Sequence, residues 1–96
     1  MVPVHETLAR AECLARGRVQ GVGYRARVRE ACLALGLAGY AKNQEDGSVF
    51  VVAEGTREAL EEFLRRIRAP RFLSRVDSLD VKWSAAEGEF TGFKTG

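Results

Sequence analysis

The stretch GRVQGVGYR, from Gly17 to Arg25, sets three glycines and two arginines between an alternating apolar run and a helical one. Glycine loses more backbone freedom on folding than any other residue, so a segment rich in it needs a reason. Gly21 and Gly23 permit positive φ on alternate residues, which turns successive backbone N–H groups inward as a nest for an anion. A helix starting at Tyr24 adds its own unpaired N–H groups and the positive end of its dipole. Arg25 then stands where the helix begins, with a planar fork that fits phosphate or carboxylate through two bonds. Together these make a small anion cradle with one strong guanidinium. The same spacing also serves a plain turn with a solvated Arg25, and spacing alone does not choose between the two.

Other phosphate and metal chemistries are excluded by what is missing. A Walker A loop needs Lys-Ser or Lys-Thr after its glycines, and neither follows here. The dinucleotide fingerprint needs a third glycine where Ala26 stands, within a parallel βαβ unit. A Cys-x5-Arg phosphatase loop needs arginine at positions 19 or 38, which are Val19 and Ala38. His5 is the only histidine, so no His/Cys/carboxylate cluster with metal-ligand spacing forms. Asp46 and Asp80 read as turn and surface residues.

The elements that must position the loop follow from periodicity. Glu12 to Val19 alternates, with Cys13, Ala15, Gly17 and Val19 on one face, and reads as a strand. From Tyr24 to Leu35, Val28, Ala31, Cys32 and Leu35 make one helical stripe, which Gly36 ends. LAGYAKNQ reads as a second strand, EDG as the tight turn of a hairpin, and SVFVVAE as a third strand. Thr56 is a candidate N-cap for a second helix with the stripe Leu60, Phe63, Leu64 and Ile67, blocked at Pro70. SRVDSLDVKWS holds a fourth strand, and Phe90 and Phe93 allow a short terminal one. Residues 1–10 read as a loose arm. The order β-α-β-β-α-β predicts an α+β, ferredoxin-like sandwich: a mainly antiparallel sheet of four to five strands with two helices on one face.

The bulk numbers set the class. Ninety-six residues make one domain, 1–96, of ordinary globular composition. Fifteen basic residues against thirteen acidic give +2, too little to imply nucleic acid. Twelve bases are Arg, and Asn43, Gln20 and Gln44 are the only side-chain amides. Scarce amides fit a heat-adapted source, while the arginine bias fits a GC-rich genome equally well. Cys13 and Cys32 lie far apart and read as free thiols in a reducing compartment. MVPVHETLAR lacks the features of a signal peptide, and no apolar run approaches the ~20 residues of a membrane span. A cytoplasmic monomer with no membrane or nucleic-acid partner is expected.

GRVQGVGYR resembles the acylphosphatase signature, G-x-V-Q-G-V-x-[FY]-R. GLAGYAKNQEDGSV resembles that family's companion segment, G-x-x-G-[WY]-x-[KR]-N-x-x-D-G-x-V, in the right order across one helix. The resemblance runs from about Glu12 to Phe93; Tyr24 stands where Phe is frequent, and FTGFKTG is a poor version of the last strand. It implies hydrolysis of acyl phosphates to a carboxylate and inorganic phosphate; the anion nest predicts that this product inhibits competitively. The resemblance further implies that Arg25 binds the phosphate and that Asn43 orients the attacking water. The N–H groups around Gln20, Gly21, Val22, Gly23 and Tyr24 would hold the phosphoryl oxygens. No cofactor or metal is implied. Without the resemblance, Asn43 reads first as a strand end satisfying local backbone, and Lys42 as a solvated base.

That chemistry suits so sparse a site. A carboxylate leaves readily, and the loose phosphoryl transition state asks mainly for positioning and charge stabilisation. Three other classes share some of these features. An RNA-binding RRM has this element order but needs paired aromatics on a central strand, where only Phe50 occurs. A regulatory module could bind an acyl phosphate without turnover, and only Asn43 argues for chemistry. A domain of a larger carbamoyl-phosphate-using enzyme is the third.

Overall fold

The computed structural model describes residues 8–88 and 90–95. Its elements are β1 (Leu8–Arg18), α1 (Tyr24–Ala34), β2 (Ala38–Asn43), β3 (Val49–Thr56), α2 (Arg57–Arg68), β4 (Arg75–Ala85) and β5 (Phe93–Thr95). The strands form one sheet in the order β4-β1-β3-β2-β5, antiparallel except where β5 pairs with β2. This is the ferredoxin-like α+β fold expected from the element order.

Alternation in the central strands sets the core. Ala11, Cys13 and Ala15 of β1 and Val49, Val51 and Ala53 of β3 are buried on one face. Val28, Ala31 and Cys32 of α1 and Leu60, Phe63, Leu64 and Ile67 of α2 close over them. Both thiols are free and buried, and burial pushes each up to about 12. Neither is a ready nucleophile.

The helix ends follow the local rules. Gly36, at φ 69°, lets Leu37 N–H reach Cys32 O and Gly36 N–H reach Leu33 O, a Schellman motif. Thr56 Oγ1 accepts the Ala59 N–H at 3.1 Å and caps α2, with Glu58 in the first turn.

Three expectations are corrected. Leu8–Arg10, assigned to a loose arm, are strand, because Leu8, Ala9 and Arg10 pair with Thr56, Gly55 and Glu54 of β3; the rest of that arm, 1–7, lies outside the described residues. Gly17 is not a core-facing strand residue. The ladder shifts between Arg16 and Gly17, leaving Asp77 as an extra residue opposite, and a β-carbon on Gly17 would collide with Arg75 O and with Asp77 N. The tight Asp-Gly hairpin is instead a longer connection through residues 44–48. Gln44 N–H bonds Ser48 O, and Gly47 supplies the only positive φ in it.

The helix-free face carries a feature that periodicity does not announce. Glu54 accepts from Arg10 Nη1 at 3.0 Å, from the Glu87 N–H at 2.8 Å and from the Gly88 N–H at 3.0 Å. Farther along, the Phe90 ring lies 5.2 Å from the Arg10 guanidinium and 5.5 Å from the Tyr40 ring. The chain thus leaves β4 at one edge, crosses over the central strands, and enters β5 at the other edge. Among the described residues no helix is long and apolar enough to cross a membrane.

Candidate functional site

The glycine loop follows β1 without a break. Gly21 and Gly23 lie at φ 73° and 78°, the alternate positive values a nest requires. Nothing lies within 4 Å of a β-carbon built on either, so the requirement for glycine is conformational, not steric. Gly23 is the N-cap of α1 and offers no side-chain cap. The first helical bond runs from Arg27 N–H to Gly23 O, so the N–H groups just before it have no partner within the helix.

Tyr24 is anchored inward. Its ring is buried, and its hydroxyl donates to Ile67 O at 2.9 Å, joining the start of α1 to the end of α2. Burial pushes the phenol well above its ordinary value. Tyr24 therefore has only its backbone N–H to offer the loop. Val22 is half-buried against the core, and Arg25 is half-buried in the first turn of α1.

Gln20 joins the two motifs. Its Nε2 donates to Gln44 O and to Ser48 O, both at 2.8 Å, which ties the glycine loop to the connection after β2. That connection is braced in turn by Asp46, whose Oδ1 accepts the Ser48 N–H at 3.0 Å and the Ser48 hydroxyl at 2.5 Å. The Ser48 hydroxyl and N–H hold the Asp46 carboxyl below its usual value. Asn43 ends β2 opposite Val49, beside this braced connection. Its Oδ1 is buried and has no hydrogen-bond partner among the described residues. An Asn that merely closed a strand end would spend that oxygen on local backbone.

The structure thus ties the glycine loop to the Asn43 connection through Gln20, a role for that amide which its place in a loop motif did not reveal. The one available signal was that all three side-chain amides lie within or beside the two motifs. Arg27, two residues on, is engaged elsewhere. It donates to Ser74 Oγ and to Arg66 O, both at 2.7 Å, and to Ala69 O, so it caps the end of α2. Among the described residues no three His, Cys, Asp or Glu side chains come together as metal ligands; His5 lies outside them.

The acylphosphatase family model matches residues 11–95. An acylphosphatase of Thermus thermophilus is 49% identical over 91% of this chain and 94% of its own length. The crystal structure of acylphosphatase from Bacillus subtilis superposes with a TM-score of 0.88 at 32% identity, covering 92% of this chain and 98% of that one. Full-length HypF, in its phosphate- and nucleotide-bound form, matches 95% of this chain with only 12% of its own, at 27% identity and a TM-score of 0.85.

Proposed function

This chain belongs to the acylphosphatase family and hydrolyses acyl phosphates; from that premise we propose that it works without a metal, through the glycine loop, Arg25 and Asn43. The N–H groups from Gln20 to Tyr24 and the first turn of α1 hold the phosphoryl oxygens. Arg25 adds a fork that tightens as charge spreads over the equatorial oxygens in the transition state. Asn43 orients a water in line with the carboxylate leaving group. Oxygen attacks phosphorus, the bond from phosphorus to the carboxylate oxygen breaks, and a phosphate oxygen takes the proton of the water. No general acid is needed, because a carboxylate leaves readily.

The observation that carries this reading is the unpartnered Asn43 Oδ1 on a segment tied to the glycine loop by Gln20. A buried amide oxygen without a partner costs about 1–3 kcal/mol, a cost that closing a strand end does not explain. Both halves of the site come from one chain, which supports a single unit, residues 1–96, acting as a monomer.

The test is hydrolysis of an aryl acyl phosphate in excess EDTA, with inorganic phosphate as inhibitor. Full activity with competitive inhibition is expected. Activity lost to the chelator and restored by a divalent ion would overturn the metal-free mechanism.

A further inference from the structure

Between α2 and β4 the chain makes a tight turn from Arg71 to Ser74. Arg71 N–H donates to Ser74 O at 3.2 Å and Ser74 N–H donates to Arg71 O at 2.8 Å. Ser74 Oγ donates to Arg71 O at 3.0 Å and accepts from Arg27 Nη1 at 2.7 Å, so the turn is also tied to α1. At its tip Phe72 has φ 48°, the only positive φ outside glycine among the described residues. Its ring is 98% exposed, the most exposed large apolar side chain described, and Leu73 beside it is 51% exposed.

Folding does not account for this residue. A left-handed conformation is unfavourable for any residue with a β-carbon, and Gly or Asn would adopt it more easily. An exposed ring gains nothing from burial to offset that. Phe72 does, however, line a groove of about 210 Å³ together with Val22, Gly23, Ala26, Arg27 and Arg71. Val22 and Gly23 belong to the glycine loop, and Ala26 to the first turn of α1. The groove therefore runs from the phosphate cradle to the aromatic tip.

The geometry points to Phe72 as the residue that receives the acyl group of the substrate and favours aromatic over small acyl phosphates. The inference rests on the phosphate-loop reading above. A phosphoryl group seated on the N–H groups from Gln20 to Tyr24 leaves its acyl part outside the nest, and the groove offers it one continuous surface. An aryl group stacks on the Phe72 ring, while an acetyl group is too short to reach it. The turn is braced at both ends, so little ordering is required when the acyl group arrives.

The experiment compares benzoyl phosphate and acetyl phosphate as substrates for the wild type, Phe72→Ala and Phe72→Tyr, with inorganic phosphate as competitive inhibitor of each. Phe72→Ala should raise the KM for benzoyl phosphate about fivefold. Its KM for acetyl phosphate and Ki for phosphate should stay within about twofold, the scale of a lost neutral contact. Phe72→Tyr keeps the ring and should restore the preference. Equal changes for both substrates, or none, would overturn the inference while leaving the phosphate site intact. So would an unchanged KM accompanied by a concentration-dependent dimer that Phe72→Ala abolishes, which would assign the ring to contact between two copies. If Arg25→Ala leaves the phosphate Ki unchanged, the loop reading fails and the inference with it. Thermal melting separates a structural role: Phe72→Gly, which also relieves the backbone, should melt no lower than wild type, and a large fall would make the ring structural and end the proposal.

Discussion

Gln20 Nε2 stands 2.8 Å from the Gln44 carbonyl, across 24 positions of sequence, and holds the glycine loop to the segment that carries Asn43. The second amide hydrogen meets Ser48 O. Two carbonyls demand a donor, which fixes the orientation of the amide. Gln20→Glu replaces both donors with a carboxylate facing two carbonyl oxygens. It should cost about 1–3 kcal/mol of stability and lower kcat more than Gln20→Ala does, because it forces the two segments apart. Urea unfolding and steady-state kinetics on the pair check this. A Gln20→Glu enzyme with wild-type kcat would show that the latch does not position the site.

Arg25→Ala should lose at least ~10²-fold in kcat/KM, the usual effect of removing a charged donor from a transition-state oxyanion. Arg25→Lys should rescue little, since a point charge cannot form the fork. Two other arginines of α1 serve as controls. Arg29 is exposed on the same helix, and Arg29→Ala should be silent. Arg27→Ala removes the donor to Ser74 Oγ, Arg66 O and Ala69 O, and should cost about 2 kcal/mol of stability while leaving the phosphate Ki unchanged. Near-normal kinetics in Arg25→Ala would refute the assignment.

Asn43→Ala should lose kcat with little change in KM if the amide orients water alone. Asn43→Asp keeps an acceptor but adds a charge beside a dianion. At ~5 Å and an effective dielectric of ~20, each unit pair repels by about 3 kcal/mol, part of which a raised carboxyl pKa relieves. Asn43→Asp should therefore be no faster than Asn43→Ala and should also weaken phosphate binding. Profiles of kcat, KM and phosphate Ki against pH decide it. An Asn43→Asp enzyme faster than wild type at neutral pH would make position 43 a general base.

The Arg10–Glu54 cluster predicts where acid will act. Burial pushes the Glu54 carboxyl up, but the Glu87 N–H, Arg10 and the Gly88 N–H together hold it below 4.5, its ordinary value. Its folded value is depressed, so its contribution is complete above the unfolded value and is lost as pH falls through the folded one. Stability should decline as the solution is acidified below about pH 4.5. Glu62, held at about 2 by hydrogen bonds from Arg65 and Arg66, adds to the lower part of that limb. Glu54→Gln should be less stable at neutral pH by about 2 kcal/mol, since Arg10 keeps Glu12 as a partner, and should show a shallower acid limb. Denaturant unfolding between pH 2 and 7 measures both, using the pH range over which carboxylates titrate. An unchanged acid limb would remove Glu54 from the account.

What could be read from the chain divides by sequence distance. The cap at Thr56, the left-handed Gly36 and the stripe Leu60, Phe63, Leu64 and Ile67 depend on residues within one or two helical turns, and each lies where periodicity and capping put it. The extension of β1 back to Leu8 is not legible in the sequence because its warrant is a partner strand ending at Thr56. Val76 and Leu79 are three residues apart, out of phase for a strand, and only the bulge at Asp77 reconciles them. The candidate site divides in the same way. Gly21, Gly23 and Arg25 are legible because a nest and a helix start are local. The Gln20 latch and the Arg27 cap are not, since all but one of their acceptors are backbone carbonyls, which every residue owns and which leave no mark in composition.

The strand order also has a colloidal consequence. A sheet ending on β4 and β5 presents two rows of backbone donors and acceptors to other molecules. On one side β5 is three residues long, too short a template to recruit a second chain. On the other, β4 is eleven residues long and exposed, but Arg75, Asp77, Asp80 and Lys82 interrupt it with charges of both signs. A second copy laid against that edge would have to bury those charges or pair them in a single register. Both rims of the sheet thus resist the stacking that turns β-rich proteins into fibrils.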